Sequence, residues 1–500
     1  MLNDLALAVE MLLDPTVLVV VLLSGIYGLF IGAIPGLTAT LAAALLVPFT
    51  FFLDPLPAIA SIITMSAMAI FAGDIPSALV RMPGTPASAA YTEDAFRMTQ
   101  AGKGAEVLGV GLLSSAIGGL AGAVVLIVAA PVLAEFALLF TSYEYFWVAV
   151  LGLTAAVIIS RGSQVKGAIA LLIGLFLSTV GIDVSLGYAR FTFGQQALLA
   201  GISFIPAMIG LFGLSEVLRN VIDPTGRPAT PRLRTKHIFR NSARILWRYK
   251  KGVMSGNVIG GAIGALPGAG GDVAAWVSYA ATKNASKEGH LFGKGEGHIE
   301  PVVSAGSSNN SALASAYVPT LIFGIPGDTI TAILIGVLFV KGVQPGPSLF
   351  TEQAPLVYAI YLMFIVANLM LIPLGYAAIR ASGQLLRVPR AVLLPIIVAF
   401  CIVGAFAINN GELEIIVMLL LGILGYLLER VGIPVAPVVL GIVLGPIVEK
   451  NFMQSVIKTH WDLSQFLTRP ISAALMIATI LILLYPFLRS LVGRVLRQKA

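Results

Sequence analysis

The sequence predicts an all-α polytopic membrane protein, with about 12 transmembrane segments in two inverted-topology repeats that contain broken or re-entrant helices. Three observations support this prediction: an apolar composition, uncharged runs of membrane-spanning length, and proline–glycine motifs that occur in related pairs. Of the 500 residues, 58% are hydrophobic and 11% are charged, and the mean hydropathy is +0.95. Soluble domains carry about 25% charged residues.

Uncharged runs supply the predicted spans. Gly109–Ala130, Leu356–Ile379 and Ala391–Ile408 each approach the ~20 residues that a spanning helix needs. Further spans are expected near Tyr145–Ser160 and Gln196–Leu218.

Charge and cysteine content narrow the function classes. The net charge is +7 and the pI is about 9.4. In so apolar a chain this excess belongs to cytoplasmic loops, so we expect no nucleic-acid partner. The single cysteine, Cys401, lies in an apolar run, which excludes a disulfide framework and a cysteine-based metal site. Met1–Asp14 contains acids but no basic residue, so we expect no cleavable signal peptide.

The second half of the chain repeats the first. Residues 32–36 (GAIPG) recur as 264–268 (GALPG) at an offset of 232. Prolines, a glycine and an alanine of Pro76–Ala89 recur in Pro319–Ala332 at an offset of 243. An 11-residue insertion in Lys283–Glu300 accounts for the difference. Several matches in one register indicate an internal repeat rather than chance.

Loop charges predict how the halves are oriented. The first half has an acidic loop and then a basic one, whereas the second half has the basic loop first. The residues are Glu135, Glu144, Arg161 and Lys166 in the first half, and Arg380, Arg387, Arg390, Glu412 and Glu414 in the second. Because Lys and Arg favour the cytoplasmic side, equivalent loops are expected on opposite faces of the membrane.

We therefore predict an N-terminal membrane repeat at 1–219, a linker at 220–251 and a C-terminal membrane repeat at 252–500. The linker holds nine basic residues against a single acid, Asp223. Such an excess places it in the cytoplasm, where it is expected to contact membrane lipid headgroups.

The broken motifs are the candidate binding site. Proline ends a helix, and a half-helix that begins after the break has unpaired N–H groups and a positive dipole end. This arrangement suits a carboxylate. We predict substrate binding by backbone N–H groups at Pro83–Thr85 and Pro326–Thr329 and by neighbouring polar groups. The substrate-binding candidates are Arg81, Pro83, Gly84, Thr85, Ser88, Asn309, Asn310, Pro326, Gly327, Asp328, Thr329 and Thr331.

A second set of residues is predicted to bind a coupling ion, Na⁺ or H⁺. Its members are Gly36, Thr38, Asp74, Gly268, Gly270 and Asp272. Ionisable groups at membrane depth indicate function by default. Two alternatives stay open: small residues pack helices closely, and Asp328 caps the helix that follows it. Arg81 has two candidate partners, a substrate carboxylate and Asp74.

Other chemistry finds little support. Gly268–Gly271 lacks the preceding strand and following Lys-Ser/Thr of a phosphate-binding loop. No nucleophile and base, or paired histidines, lie in an apolar span, so we expect no catalytic site and no enzyme. A metal site and a cofactor other than the coupling ion are not expected. The loop with His290, Glu296, His298 and Glu300 is expected to be solvated, as are Glu93, Asp94 and Arg97.

These motifs together resemble one family, the large membrane subunit of the tripartite tricarboxylate transporters. The matching stretches are Gly32–Gly36, Pro83–Ala89, Gly264–Gly268, Asn309-Asn310, Pro319–Gly327, Gly342–Pro347, Val180–Asp183, Arg190–Gly194 and Leu444–Pro446. Arg81 stands where the family usually has an uncharged polar residue. Ala305–Ser308 lacks the acid often found before the asparagine pair.

The resemblance implies a multi-pass permease of the bacterial cytoplasmic (inner) membrane. It implies a small membrane subunit and a periplasmic solute-binding protein as partners, and carboxylates as substrates. We therefore predict a secondary active importer of tri-, di- or monocarboxylates, working by symport with elevator-like motion. The alternative is an anion-selective channel or another intramembrane protein without active transport.

Overall fold

The computed structural model describes residues 2–34, 37–159, 163–183, 187–222, 238–386, 390–409 and 411–483. Most of the described chain is helical, which confirms the all-α class. Its only described strands are β1 (Gly181–Ile182) and β2 (Ala189–Arg190), which pair antiparallel with Gly181 opposite Arg190.

The helices are numbered in chain order. They are α1 (Leu2–Leu12), α2 (Pro15–Gly32), α3 (Ala39–Thr50), α4 (Pro55–Ala72), α5 (Asp74–Val80), α6 (Thr92–Met98), α7 (Gly104–Ala137), α8 (Ser142–Ile159), α9 (Gln164–Ser178), α10 (Phe204–Met208), α11 (Ser215–Ile222), α12 (Ile238–Arg248), α13 (Lys250–Gly264), α14 (Gly270–Ala285), α15 (Glu300–Ser315), α16 (Tyr317–Phe323), α17 (Thr329–Val340), α18 (Leu349–Glu352), α19 (Ala354–Leu385), α20 (Arg390–Asn409), α21 (Glu412–Arg430), α22 (Ala436–Lys458), α23 (Gln465–Thr468) and α24 (Pro470–Leu483). Short 3₁₀ turns lie at Ser88–Ala90, Gln196–Ala200 and Gly289–Leu291, and π-helical turns at Thr99–Lys103 and Ile209–Leu214.

The chain forms two compact units. The first consists of Met1–Ala134 and Ile205–Leu427, and the second of Glu135–Phe204 and Leu428–Ala500. Each predicted repeat therefore contributes to both units. The two units are not the two predicted repeats, and the repeat boundaries at 219 and 251 stay a prediction. Residues 223–237 of the predicted linker lie outside the described residues.

Within the described residues, seven helical stretches are long and apolar enough to cross a membrane. They are Pro15–Gly32, Pro55–Val80, Thr92–Ala137, Phe204–Ile222, Ala354–Gln384, Val392–Asn409 and Ala436–Lys458. Shorter apolar helices are α3, α9, α17 and α24. The three uncharged runs named above fall in α7, α19 and α20, as predicted. The expected span Gln196–Leu218 is corrected, because a 3₁₀ turn and a bend precede a helical stretch that begins only at Phe204.

Two helices are buried along their length in the first unit. Every residue of α4 from Leu56 to Ala72 is buried, and so is every residue of α15 from Pro301 to Ser315. α4 packs against α2, α3 and α19, and α15 packs against α13 and α14. The two helices occupy equivalent places in the repeat, but α15 carries a much larger share of serine and asparagine.

The repeat is visible in the helix packing. Gly28 of α2 lies against the Met65 carbonyl oxygen of α4 so closely that a Cβ atom would overlap it. Gly260 of α13 lies in the same way against the Ser308 carbonyl oxygen of α15. These pairs correspond at the offsets of 232 and 243 found in the sequence. The glycines allow both helix pairs to approach at backbone distance.

The breaks after α5 and α16 also share one geometry. Arg81 caps the C-terminal end of α5 and Gly324 that of α16, with left-handed φ values of 57° and 65°. The next N–H donates back to the Pro76 carbonyl (3.2 Å) in the first half and to the Pro319 carbonyl (3.4 Å) in the second. Glycine adopts this conformation without strain, whereas Arg81 does so at a cost.

Candidate functional site

The candidate site lies in the first unit, where two half-helices begin close together. Thr38 caps α3, since its hydroxyl accepts a hydrogen bond from the Leu41 N–H (3.1 Å). The Oγ1 atoms of Thr40, in the first turn of α3, and Thr329, the first residue of α17, lie 2.8 Å apart. The N-terminal ends of α3 and α17 therefore meet at a pair of hydroxyl groups. Pro35 and Gly36, in the break before α3, lie outside the described residues.

Asp328 caps α17, as the capping alternative proposed. Its Oδ1 atom accepts from the Thr331 N–H (2.7 Å), and the Thr331 hydroxyl accepts from the Asp328 N–H (2.8 Å). Thr85 and Ser88 form the equivalent reciprocal pair in the first half. The Ser88 hydroxyl accepts from the Thr85 N–H (3.1 Å), and the Thr85 hydroxyl accepts from the Ser88 N–H (3.1 Å).

These caps correct one detail of the predicted carboxylate site. The Gly84 N–H donates to the Gly73 carbonyl (3.1 Å), and the Gly327 N–H donates to the Thr320 hydroxyl (3.4 Å). With the N–H groups of Thr85 and Asp328 also engaged, the backbone donors next to both Pro-Gly pairs already have protein acceptors. A carboxylate at this site must use the remaining donors, including the two threonine hydroxyls where α3 and α17 meet.

The non-helical residues 265–269, which precede α14, pack directly against residues 324–328, which precede α17. The Gly268 N–H donates to the Pro326 carbonyl (3.1 Å). A Cβ atom added at Gly270 would lie 2.8 Å from the Asp328 Cβ atom. Gly268 and Gly270 adopt φ values of 75° and 60°, which glycine reaches without strain. Asp272, in the first turn of α14, is partly buried.

The asparagine pair of α15 borders this region. A Cβ atom added at Gly271 would lie 2.5 Å from the Asn309 Oδ1 atom. Asn309 and Asn310 are 3% and 1% exposed. Neither polar atom of the Asn310 amide has a hydrogen-bond partner in the described part of the chain. Such a buried group costs about 1–3 kcal/mol unless water or a ligand satisfies it.

The first-half motif, residues 81–89, has one buried glycine and two exposed residues. Pro83 and Arg81 are exposed, whereas a Cβ atom at Gly84 would lie 2.5 Å from the Gly73 Cα atom. The Arg81 guanidinium pairs with Glu93 at 2.8 Å. The suggested pairing of Arg81 with Asp74 is therefore wrong.

Asp74 lies at the other end of α5, as its first residue. Its Oδ1 atom accepts a hydrogen bond from the Tyr91 hydroxyl (2.6 Å), and the residue is buried.

The Pro86 carbonyl accepts a hydrogen bond from the Trp276 Nε1–H of α14 (3.2 Å). The first-half motif thus contacts the same helix, α14, whose beginning packs on the second-half motif.

Asp94 corrects another expectation, because it is buried rather than solvated. Its carboxylate accepts from the N–H groups of Gly293 (2.7 Å) and His298 (3.0 Å) and from the Tyr279 hydroxyl (3.4 Å). The loop 286–299 is therefore fastened to α6. Glu93 and Arg97 remain partly exposed, and the Glu93 carboxylate pairs with both Arg81 and Arg97.

The same loop holds a histidine–carboxylate group. The ligand atoms of Glu288, His298 and Glu300 lie within 4.8 Å of one another. The His298 Nδ1 atom accepts from the Glu300 N–H (3.3 Å), so Nε2 carries the proton that faces the Glu288 carboxylate at 2.9 Å. This hydrogen bond lowers the pKa of the Glu288 carboxyl. The absence of a metal site stays a prediction.

Comparison with known proteins identifies the family. The family model of the tripartite tricarboxylate transporter TctA family matches residues 18–440. The chain belongs to the TctA family. It is therefore a multi-pass membrane subunit of a tripartite tricarboxylate transporter, from a family of transporters rather than enzymes, and its family works with partner subunits.

Two relatives come from Agrobacterium vitis. An uncharacterized 52.8 kDa protein in the TAR-I ttuC' 3' region is 34% identical over 497 residues, covering 98% of this chain and 97% of the relative. An uncharacterized protein in the TAR-II ttuC' 3' region is 36% identical over 234 residues, covering 46% of this chain and 96% of the relative. No solved structure matches this chain.

The sequence analysis missed three residues that the structure places in or beside the candidate site: Thr40, Trp276 and Tyr91. The repeat contained a signal for the first, since Thr40 and Asp272 correspond at the offset of 232 and Asp272 was a candidate. The contacts of Trp276 and Tyr91 join segments distant in sequence, and no pattern in the chain indicates them.

Proposed function

We propose that this TctA-family subunit is a secondary active importer of small tri-, di- or monocarboxylates. It resides in the bacterial cytoplasmic (inner) membrane and moves the carboxylate by symport with Na⁺ or H⁺. A periplasmic solute-binding protein delivers the substrate, and a small membrane subunit completes the complex.

The observation that carries this proposal is the meeting of α3 and α17. Each helix is 12 residues long and presents its positive dipole end at the 2.8 Å contact of the Thr40 and Thr329 hydroxyls. The two hydroxyls share one hydrogen bond, in which either can donate. A bound carboxylate separates them, and each hydroxyl then donates to one carboxylate oxygen. The helix ends supply favourable potential without a buried lysine or arginine.

The coupling ion is proposed to bind next to the Thr40–Thr329 contact, beside residues 268–271. Asp328 and Asn309 flank Gly270 and Gly271, and the left-handed turn at Gly268–Gly270 brings backbone groups close to both side chains. Carboxylate, amide and carbonyl oxygens are the ligands that a hard cation prefers. Asp328 is also the group that a proton would titrate in the alternative of H⁺ symport.

The repeated geometry supports alternating access. Both halves carry the same helix pair, the same left-handed ending and the same reciprocal cap at corresponding positions. Transporters built from inverted repeats exchange the conformations of their halves around a central site. Elevator-like movement of the site against the rest of the protein is proposed on this basis.

Uptake into proteoliposomes tests the proposal. The chain, its small membrane subunit and the binding protein are reconstituted, and carboxylate uptake is followed while the Na⁺ and proton gradients are varied separately. Accumulation against a concentration gradient, dependent on one of the two ions, is expected. Uptake that does not saturate and never exceeds equilibration would instead indicate an anion-selective channel.

Paired valine substitutions test the binding site. Thr40→Val with Thr329→Val keeps side-chain shape but removes both hydroxyls, so KM should rise about thirtyfold, because two lost hydrogen bonds of ~1 kcal/mol each sum to ~2 kcal/mol. Thr40→Ser should retain near-normal KM. Thr351→Val is the matched control, since its exposed hydroxyl donates only to Ser348 within its own turn (3.0 Å). Equal KM values for the double variant and the control would reject the site.

A further inference from the structure

Helix α12 presents a basic surface that none of the proposed transport steps uses. Arg240, Arg244, Trp247 and Lys250 are exposed along α12 and at the beginning of α13, and we call them the α12 basic face. Residues 238–254 contain no Asp or Glu. A basic face of this kind attracts an anionic partner.

The opposite side of α12 fixes its position in the first unit. Ile238, Ser242 and Leu246 are buried. A Cβ atom added at Gly109 of α7 would lie 2.5 Å from both the Ile238 Cγ1 and the Ser242 Oγ atoms. Because Gly109 begins the uncharged run of α7, α12 lies at the end of a membrane-spanning segment. Amphipathic helices at this level contact the headgroup layer of the bilayer.

An exposed tryptophan supports the same position. The Trp247 side chain is 76% exposed, and the Lys250 ammonium lies 5.1 Å from its ring centroid. Met254, one turn further along α13, is 67% exposed. Tryptophan favours the membrane–water interface, where the ring contacts acyl chains and neighbouring cations contact phosphates. Arg248 is not counted in the α12 basic face. Its guanidinium carbon lies 5.4 Å from the centroid of the Tyr249 ring, and the Tyr249 hydroxyl donates to the Glu288 carboxylate.

We propose that the α12 basic face binds the headgroups of anionic phospholipids. Arg240, Arg244 and Lys250 contact the lipid phosphates, and Trp247 packs against the glycerol and upper acyl region. Each basic side chain near an anionic surface contributes about fivefold to lipid affinity. The site therefore ties the linker that joins the predicted repeats to the bilayer surface.

Lipid retention by the full chain tests this proposal. The purified protein is exchanged into mixed micelles with equimolar phosphatidylglycerol and phosphatidylcholine, and lipids that remain bound after gel filtration are quantified by mass spectrometry. Wild-type protein should be enriched in phosphatidylglycerol, and enrichment should fall as NaCl is raised. Inorganic phosphate at equal ionic strength should compete no better than chloride.

Charge removal locates the site. The variant Arg240→Gln/Arg244→Gln/Lys250→Gln should lose enrichment by at least tenfold, given about fivefold for each charge. The control Lys283→Gln/Lys287→Gln/Lys294→Gln removes the same charge from exposed positions in a segment that also contains acids, and it should retain the enrichment. Equal losses in both variants, or no wild-type preference for phosphatidylglycerol, overturn the proposal. Should the first variant fail to fold, the single variants Arg240→Gln and Lys250→Gln replace it; each should lose about fivefold of the enrichment, and no loss in either overturns the proposal.

Discussion

Asp94 and its neighbour Glu93 provide a sharp test of what burial does to a carboxylate. The two acids are adjacent on α6 and carry the same charge. The Asp94 carboxylate is buried and accepts two backbone N–H groups of the loop 286–299 at 2.7 and 3.0 Å. The Glu93 carboxylate is 32% exposed and pairs only with side chains that are themselves exposed, Arg81 and Arg97. Substituting each acid by its amide therefore separates the two environments.

The expected magnitudes follow from these contacts. Both backbone N–H groups donate to the same atom, Asp94 Oδ1, and the Tyr279 hydroxyl donates to Oδ2. In Asp94→Asn the amide oxygen keeps both backbone bonds but without the charge, and the NH₂ group faces the Tyr279 hydroxyl. A hydrogen bond to a charged group is worth about 1.5–3 kcal/mol and a neutral one about 0.5–1.5 kcal/mol, so we expect the free energy of unfolding to fall by about 2–3 kcal/mol. Glu93→Gln should change it by less than ~1 kcal/mol, as for other exposed ion pairs.

Two measurements check the difference. Thermal unfolding of the purified chain in detergent should show a lower midpoint for Asp94→Asn than for Glu93→Gln. Trypsin should cut after Lys287 and Lys294 at least about tenfold faster in Asp94→Asn, because the loop opens more often when its anchor is weakened. Indistinguishable midpoints and cleavage rates for the two variants would refute the assignment of Asp94 as the anchor of this loop.

Other predictions concern packing and a charge pair. Gly28→Ala and Gly260→Ala should each destabilise the protein by about 1–3 kcal/mol, since the new methyl meets a backbone carbonyl; unequal effects would contradict their equivalence in the repeat. Gly383→Ala, with no atom within 4 Å of the added methyl, should stabilise α19 by up to ~1 kcal/mol in the same thermal assay. In the second unit, the Arg190 guanidinium forms two bonds with the Glu449 carboxylate, at 2.7 and 3.0 Å. Arg190→Lys should lower the free energy of unfolding by about 1–2 kcal/mol, because an ammonium cannot reproduce the two-pronged geometry; an unchanged midpoint would show that the pair contributes little.

The repeat was readable from the sequence because it depends on local rules. A proline ends a helix, and glycine is required where two backbones touch, so both residues recur wherever the geometry recurs. Gly28 and Gly260 are matched in sequence for the same reason that they are matched in packing. The glycines correspond at the offset of 232, and the carbonyls that they meet, those of Met65 and Ser308, correspond at the offset of 243.

The hydrogen-bonding state of the backbone N–H groups in the candidate site was predicted less well than the repeat. Unpaired N–H groups were expected at both Pro-Gly pairs. The glycine N–H groups instead donate to the Gly73 carbonyl and the Thr320 hydroxyl, and the next N–H group in each half donates to a hydroxyl three residues further along. Thr85 with Ser88 and Asp328 with Thr331 are compatible with capping in sequence. The sequence does not say whether a given hydroxyl turns inward to the backbone or outward to a ligand. That choice depends on what the neighbouring half-helix places nearby.

The sequence by itself determined the membrane class, the helical runs and the repeated breaks, since hydropathy, proline and glycine act over a few residues. Only the tertiary structure decided that Arg81 pairs with Glu93 and not Asp74, that Asp94 is buried, and that Thr40 faces Thr329. These contacts join segments as many as 289 positions apart. Their partners are selected by packing of the whole unit, which no local pattern encodes.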